Sequence, residues 1–320
     1  MQSEKKVLII EKIYGGAIDF LKDCGYEVLC GENQEYETIL RQIKDCEGAI
    51  VRSAPRITNE MFSAAQKLKV IGRWGVGLDH IDIDAAAARG IYVVFTPAAN
   101  NISVAEHAIA LFMALAKRLK ECDRQTRAGN WAFRMDNLAR EVDGMTAGII
   151  GYGRIGREIG KKLHYAFNMK ILIYDPYIKN VESYCKITEL DELYHESDLV
   201  TVHMPNTPET TKMVDGTAFG KMKNSAIFIN VSRGANVDEK ALCDALKNRR
   251  IYGAGIDVFE QEPAAADNPL FRLDNILVSP HYAGANVECT QRMAMHVAQG
   301  VHEVLSGHKP SWPANNPIVK

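Results

Sequence analysis

The residues best suited to chemistry sit just past apolar runs in the second half of the chain. Gly151-Tyr-Gly153-Arg154-Ile155-Gly156 follows the apolar run Ala147–Ile150 and opens a helical stretch. Glycines at this spacing between a strand and a helix can cradle a pyrophosphate. Gly151 permits the tight turn, Gly153 lets the backbone approach the phosphates, and Gly156 lets helix and strand pack closely. The N–H groups and positive end of the helix that begins at Arg154 and Ile155 then face the anion. Nineteen residues after Gly156, the run Ile171-Leu-Ile-Tyr ends in Asp175. A carboxylate there can accept both ribose hydroxyls of NAD and would repel the 2′-phosphate of NADP. Taken alone, Asp175 also reads as a turn former before Pro176.

Hydride transfer at C2 of a small hydroxy acid needs two protein groups beside a nicotinamide. A cation must hold the carboxylate and polarise the C2 oxygen, and an acid/base must exchange the hydroxyl proton. Three residues stand where a doubly wound sheet presents such groups, past the carboxyl ends of strands. Arg233 follows Ile227-Phe-Ile-Asn-Val-Ser, Glu262 follows Gly255-Ile-Asp-Val-Phe, and His281 follows Ile276-Leu-Val-Ser-Pro. The arginine fork matches a carboxylate in two parallel hydrogen bonds. Histidine titrates near neutrality, and a neighbouring glutamate would favour the imidazolium and orient the ring. Singly, each has an ordinary explanation as a surface arginine, an acidic turn or a capped core histidine. Together, after a dinucleotide motif, they make a catalytic set.

The rest of the chain must position these residues. Its 320 residues, 47% hydrophobic and 24% charged, can bury one large or two ordinary cores. A net charge of −2 leaves no global field for nucleic acid or an anionic membrane, so an acidic substrate must be drawn by local arginines. The seven cysteines are scattered, without a C-x-x-C pair, so neither a disulfide framework nor a metal site is expected. Reduced thiols, and a start (MQSEKKVLII) without a signal-like apolar region, point to the cytoplasm. The apolar stretch from His107 to Ala116 is too short to span a bilayer.

Over the first hundred residues, apolar runs at Val7–Ile10, Glu27–Leu29, Ala49–Val51, Val70–Ile71 and Ile91–Val94 alternate with helical patterns at Ala17–Asp23, Glu37–Ile43, Asn59–Gln66 and Ile83–Arg89. Continuous apolar strands divided by helices predict an α/β, doubly wound parallel sheet. A single long helix is predicted from Ser103 to Ala128, with Ser103 and Glu106 as a capping box. Six further strands follow, at Ala147–Ile150, Lys170–Tyr174, Leu199–Val202, Ala226–Asn230, Tyr252–Ile256 and Ile276–Val278, the count of a complete dinucleotide-binding sheet. A last helix, about Asn286 to Ser306, has no strand of its own and is read as returning to the first domain. The expected domains are therefore 1–100 with 287–320, and 101–286. The tail after Gly307 is expected to be loosely ordered.

Several of these segments resemble the D-isomer-specific 2-hydroxyacid dehydrogenase family. They are Val51-Arg-Ser, Gly75-Val-Gly-Leu-Asp79, Asn101-Ile-Ser-Val-Ala-Glu106, the glycine motif, His203-Met-Pro205, Asn230-Val-Ser-Arg233-Gly, Asp257-Val-Phe-x-x-Glu262-Pro and Ser279-Pro-His281. The resemblance implies a flavodoxin-like substrate domain, a Rossmann NAD-binding domain, a cleft between them and a homodimer formed through the NAD-binding domain. It implies His281 as acid/base, Glu262 as its partner and Arg233 as substrate anchor. It further implies cofactor contacts from the backbone around His203, Met204, Pro205 and Thr207, from Val231 and Ser232, from Gly284 beside His281, and from the side chain of Asp257.

Within the family, the phosphoglycerate dehydrogenases of serine biosynthesis are the most similar group. The resemblance to them sets Arg52, Ser53, Arg73, Trp74, Gly75, Val76 and Gly77 toward the substrate, and Trp131-Ala-Phe-Arg134 as a source of a further arginine for a partner subunit. Trp74 stands where a small residue is usual, either narrowing the pocket or packing beneath the loop. The regulatory domain of many such enzymes is missing from this sequence, so serine feedback by that route is not expected. Two alternatives remain: a glyoxylate/hydroxypyruvate reductase, and an NAD-sensing corepressor that would present an apolar groove on its first domain.

Overall fold

In the computed structural model, which describes residues 4–317, the chain divides into two compact units, 1–100 with 285–320, and 101–284. The first opens with β1 (Lys6–Ile9), α1 (Ala17–Asp23), β2 (Glu27–Cys30), α2 (Tyr36–Ile43), β3 (Gly48–Val51), α3 (Asn59–Ala64), β4 (Val70–Arg73), α4 (Ile83–Ala88) and β5 (Tyr92–Val94). The strands form one parallel sheet in the order β2-β1-β3-β4-β5. Every residue of β3 is buried, because a parallel sheet covered on both faces needs apolar side chains on both.

The second unit begins with α5 (Asn101–Ala116), α6 (Leu119–Arg127) and the single turn α7 (Phe133–Asp136). The single long helix predicted from Ser103 is thus two. Arg118 adopts a left-handed φ of 53° and breaks the run. No glycine or proline marks the break. The apolar stripe ends at Ala116, and Arg118 is turned aside by Glu121 at 2.7 Å, Asn137 at 3.2 Å and the Phe133 ring. The helix also starts at Asn101, so Ser103 lies inside the first turn and is not its cap.

The unit continues with β6 (Thr146–Ile150), α8 (Arg154–Phe167), β7 (Lys170–Tyr174), β8 (Cys185–Ile187), α9 (Leu190–Glu196), β9 (Leu199–Val202), α10 (Gly216–Lys221), β10 (Ile227–Asn230), α11 (Glu239–Lys247), β11 (Gly253–Ile256) and β12 (Ile276–Val278). The sheet has seven parallel strands, not six, in the order β12-β11-β10-β9-β6-β7-β8. The unpredicted strand, β8, is a three-residue edge containing a lysine, too short and too polar to show a strand pattern. The winding reverses between β6 and β9, whose neighbours then run outward on opposite sides.

The last helix, α12 (Val287–Leu305), begins at Asn286, whose side chain accepts the Cys289 N–H, and packs on β3, β4 and β5. Residues 308–317, the described part of the segment after Gly307, are held in place rather than loose. Pro313 bridges to Val94, Ala314 donates to Val93 O, and the Asn315 amide bonds Val93 N and Ile91 O. The sequence offers no periodicity there because these bonds form along the edge of β5. No described helix is long and apolar enough to cross a membrane, and no described cysteine is joined in a disulfide.

The seating of α12 can be tested at Gly72 of β4, where an added Cβ would meet Val297 Cγ2 at 2.7 Å and Val301 Cγ2 at 2.8 Å. Gly72→Ala should destabilise the chain by about 1–3 kcal/mol in chemical denaturation. Adding Val297→Ala should recover part of that loss; additive losses would place the helix elsewhere.

Candidate active site

The site is built at the reversal of the second sheet. β6 and β9 lie side by side, and His203 N donates to Ile150 O at 2.7 Å, drawing the segment after β9 against the glycine loop. Gly151 takes a φ of 88°, and a Cβ on it would sit 2.8 Å from His203 C and Met204 N. A Cβ on Gly156 would lie 2.4 Å from Gly151 O, so α8 starts directly against the turn. Gly153 is exposed, with nothing within 4 Å of its would-be Cβ, and no side chain caps the first turn of α8. An uncapped fourteen-residue helix behind a bare glycine turn suits an anionic phosphate group.

Asp175 stands beside this turn. Its carboxylate accepts Tyr152 N at 2.8 Å and Tyr177 N at 3.0 Å, which ties the end of β7 to the glycine loop. The support beneath it has no motif in the sequence. The buried Tyr152 donates to Glu182 at 2.9 Å and meets Cys185 Sγ at 3.1 Å. Arg157 pairs with Glu182 at 2.7 Å and lies 4.7 Å over the Tyr152 ring. Burial and these contacts push the Tyr152 phenol well above its ordinary pKa, so it serves as a neutral donor.

The loops after β9 and β10 are held from within. His203 is half-buried, its Nε2 is 2.8 Å from Thr201 Oγ1, and desolvation pushes its pKa down to about 3, so the ring is neutral. Buried Asn236 donates to Met204 O at 2.9 Å, Thr207 N donates to Thr210 Oγ1, and Pro205 O accepts that same hydroxyl. Asn230 accepts from Ser232 N and Oγ and donates to Arg233 O at 2.9 Å, fixing the turn from Val231 to Arg233. Asn236 carries no sequence signal, because its partner, Met204 O, is distant in the chain and brought close only by the fold.

β10, β11 and β12 are neighbours in the sheet, so Arg233, Glu262 and His281 emerge from one edge. His281 Nδ1 and Glu262 Oε2 are 2.7 Å apart, and Phe259 N donates to the other glutamate oxygen at 3.1 Å. The Glu262 hydrogen bond holds His281 above the ordinary imidazole pKa, while burial and the Arg233 charge pull the other way. Burial works to raise Glu262, but the His281 hydrogen bond and charge outweigh it and hold the carboxyl below its usual range. His281 has a left-handed φ of 52°, with its N–H directed at Asp257 O, 2.8 Å away.

That conformation is set by Asp257. Its carboxylate accepts Tyr282 N at 2.7 Å, Ala283 N at 2.9 Å and the Ser279 hydroxyl at 2.5 Å, and the residue is fully buried. The expectation that this side chain reaches the cofactor is therefore corrected: it lies beneath the loop that carries His281 and leads to Gly284. His107 of α5, also passed over in the sequence, meets Ser279 Oγ at 2.9 Å.

In the first unit, Arg52 and Ser53 follow β3 and are exposed. Arg73 is not an open cation. Its guanidinium donates to Gly77 O at 2.7 Å and Trp74 O at 2.6 Å, and fills the space a Cβ on Gly75 would take. Trp74, 5% exposed, belongs to the core beneath the loop, which decides against its narrowing a pocket. Val76 and Gly77 remain half-exposed. Arg134, on α7 in the second unit, is exposed, as is Trp131 in the turn before it.

With this geometry in place, the comparisons are specific. The family model described as D-isomer specific 2-hydroxyacid dehydrogenase, NAD binding domain, matches residues 109–283. A D-3-phosphoglycerate dehydrogenase of Archaeoglobus fulgidus is 40% identical over 318 residues, 98% of this chain and 60% of its own length. A glyoxylate reductase of Thermofilum pendens is 37% identical, over 98% of this chain and 96% of its own. A crystal structure from Thermus thermophilus superposes with a TM-score of 0.91 at 34% identity, covering 97% of this chain and all of that one. The chain belongs to the D-isomer-specific 2-hydroxyacid dehydrogenase family, and its second unit binds a nicotinamide dinucleotide. It spans about 60% of the length of the phosphoglycerate dehydrogenases of Archaeoglobus fulgidus and Methanocaldococcus jannaschii that it resembles.

The two glycines should separate under mutation. Gly153→Ala should fold like the parent yet bind NADH more weakly, as read by nucleotide fluorescence. Gly156→Ala should lower the unfolding midpoint as well, because its Cβ meets backbone. Equal stability of the two variants would contradict the packing of α8 against the turn.

Proposed function

We propose that this chain is an NAD-dependent D-2-hydroxyacid dehydrogenase, with 3-phosphoglycerate and phosphohydroxypyruvate as its substrate pair. The observation that carries the reading is the 2.7 Å contact between His281 and Glu262 beside Arg233, at adjacent strand ends of the nucleotide-binding unit. Gly151, Gly153, Gly156 and the first turn of α8 are the residues that would hold the pyrophosphate, with Asp175 at the ribose. The bound nicotinamide supplies or accepts the hydride at C2.

The proton falls to His281. With Nδ1 committed to Glu262, Nε2 has no protein partner among the described residues and is the atom that exchanges a proton with the C2 oxygen. Glu262 keeps the ring oriented and favours the imidazolium that reduction requires. Arg233 anchors the substrate carboxylate and stabilises charge on the C2 oxygen. Asp257 holds the loop so that the imidazole does not rotate away.

Arg52 supports a phosphorylated substrate, since its guanidinium has no acceptor among the described residues. Glyoxylate or hydroxypyruvate reduction is the second reading. It is favoured by the full-length similarity to a protein named glyoxylate reductase and by Arg73 being spent on its own loop. On the first reading the reaction belongs to cytoplasmic serine biosynthesis. The working form we propose is a homodimer joined through the NAD-binding unit, where Leu119, Trp131, Met135 and Leu138 are all more than half exposed.

NADH oxidation measured against phosphohydroxypyruvate, hydroxypyruvate, pyruvate and glyoxylate should show the highest kcat/KM for the phosphorylated acid. A preference for glyoxylate or hydroxypyruvate selects the second reading, and no turnover at all rejects both. His281→Ala should lower kcat by about 10²–10⁴-fold. Reduction needs protonated His281, so its rate should fall as pH rises through the raised imidazole pKa. Glu262→Gln should move that fall to lower pH; an unmoved profile would remove Glu262 from this role.

A further inference from the structure

The first sheet reverses its winding between β1 and β3, and three residues with no catalytic function meet past that reversal. Parallel pairing of β1 with β3, and of β3 with β4, sets the residues after these strands side by side. They are Glu11, Arg52 and Trp74. Ile10 N donates to Ile50 O, and Trp74 N donates to Val51 O at 2.9 Å, so the register extends into the loops.

Glu11, 7% exposed, is spent entirely on the loop that carries Arg52. One carboxylate oxygen accepts the N–H groups of Arg52 at 2.7 Å, Ser53 at 2.6 Å and Ala54 at 3.0 Å, and the other accepts the Ser53 hydroxyl at 3.0 Å. Consecutive N–H groups converging on one point form a concave anion-binding nest. Here a protein carboxylate occupies it permanently, which fixes the loop and keeps any ligand anion out of the backbone. The recognising group is left to be the arginine side chain.

That side chain is fixed at its far end as well. The Arg52 guanidinium lies 5.1 Å from the Trp74 ring centroid. Trp74 is immobile because it is buried in the core of the unit, and its Nε1 has no hydrogen-bond partner among the described residues. An indole buried with its donor unused offers only its face, and a guanidinium stacked on that face keeps its N–H edge free for a planar anion. Arg52 is therefore an arginine whose backbone and head group are both set before any ligand arrives, which spares the entropy of ordering a long side chain.

We propose that Glu11 and Trp74 are positioning residues that hold Arg52 aimed at a second anionic group, carried on the substrate away from its C2 carboxylate. This rests on the reading that the first unit receives the substrate. The device sets selectivity between 2-keto acids with and without that second anion.

The test compares Trp74→Leu, Trp74→Phe, Glu11→Gln and Arg52→Met in the full chain, each checked for folding by circular dichroism. The measured quantity is the ratio of kcat/KM for phosphohydroxypyruvate to that for glyoxylate. Arg52→Met should remove most of the discrimination. Trp74→Leu and Glu11→Gln should lower the ratio about 2- to 30-fold, the range of a partly desolvated cation–π contact, through KM rather than kcat. Trp74→Phe keeps an aromatic face and strands no donor, so it should retain most of the ratio. Parallel losses for both acids, or phenylalanine behaving like leucine, would overturn the proposal.

Calorimetric titration with 3-phosphoglycerate and with glycerate, without nucleotide, separates this proposal from the proposed function. A chain that reduces no keto acid but binds 3-phosphoglycerate more tightly than glycerate, and loses that margin in Trp74→Leu, upholds the device and rejects the activity. A parent chain that binds both alike overturns the device. If Trp74→Leu does not fold, the Glu11→Gln and Trp74→Phe ratios decide.

Discussion

A parallel sheet wound first one way and then the other has one place where two neighbouring strands send their following segments in opposite directions. The chain here meets that constraint twice, between β6 and β9 in the nucleotide-binding unit and between β1 and β3 in the other. At each reversal the strand ends are left without crossing connections above them, so backbone groups and side chains stand open there. In the second unit the gap is so tight that Gly151 touches the backbone of His203 and Met204, and no other residue type fits. The open side of the same turn, at Gly153, leaves bare N–H groups of the kind that suit a phosphate. Arg233, Glu262 and His281 line up along the strands that follow from this reversal.

Loops at such edges carry N–H groups that no ladder partner satisfies, and the chain answers repeatedly with a side-chain oxygen placed beneath them. Asp175 takes two N–H groups, Glu11 takes three, and Asp257 takes two together with a hydroxyl. Asn230 accepts Ser232 N in the same way, whereas Asn236 donates its amide to Met204 O. A buried carboxylate is costly to desolvate, and only several charge-assisted bonds offset that cost. The return is stiffness. His281 keeps a left-handed backbone, and Arg52 keeps its place over Trp74, without help from a ligand. Polar residues that look catalytic by type thus divide into those that meet a ligand and those that hold the former still.

Much of this was legible in the residues. The alternation of apolar runs with helical patterns is a local property, set by burial on both faces of a parallel sheet, and it located eleven of the twelve strands to within a few residues. The glycine motif, with Asp175 at the end of the next strand, carries its own chemistry in its spacing. The positions of Arg233, Glu262 and His281 after successive strands followed once those strands were found. The order of the strands did not, nor did the roles of Asp257, Trp74 and Arg73, because each depends on what lies across the sheet.

The periodic part is therefore written in the residues: two wound sheets, the glycine turn and the strand-end residues of a type able to carry a proton and an anion. Which polar atoms are left open is settled by contacts across the fold. Arg73 reads as a free cation until the Gly75 loop folds over it, and Asp257 reads as a ligand contact until the loop from Ser279 to Ala283 closes around it. Arg118 sits in a helical pattern until Glu121, Asn137 and Phe133 turn it aside. In each case the hydrogen-bond partners that settle the outcome include backbone atoms or side chains whose positions no local pattern encodes, so availability is a property of the fold.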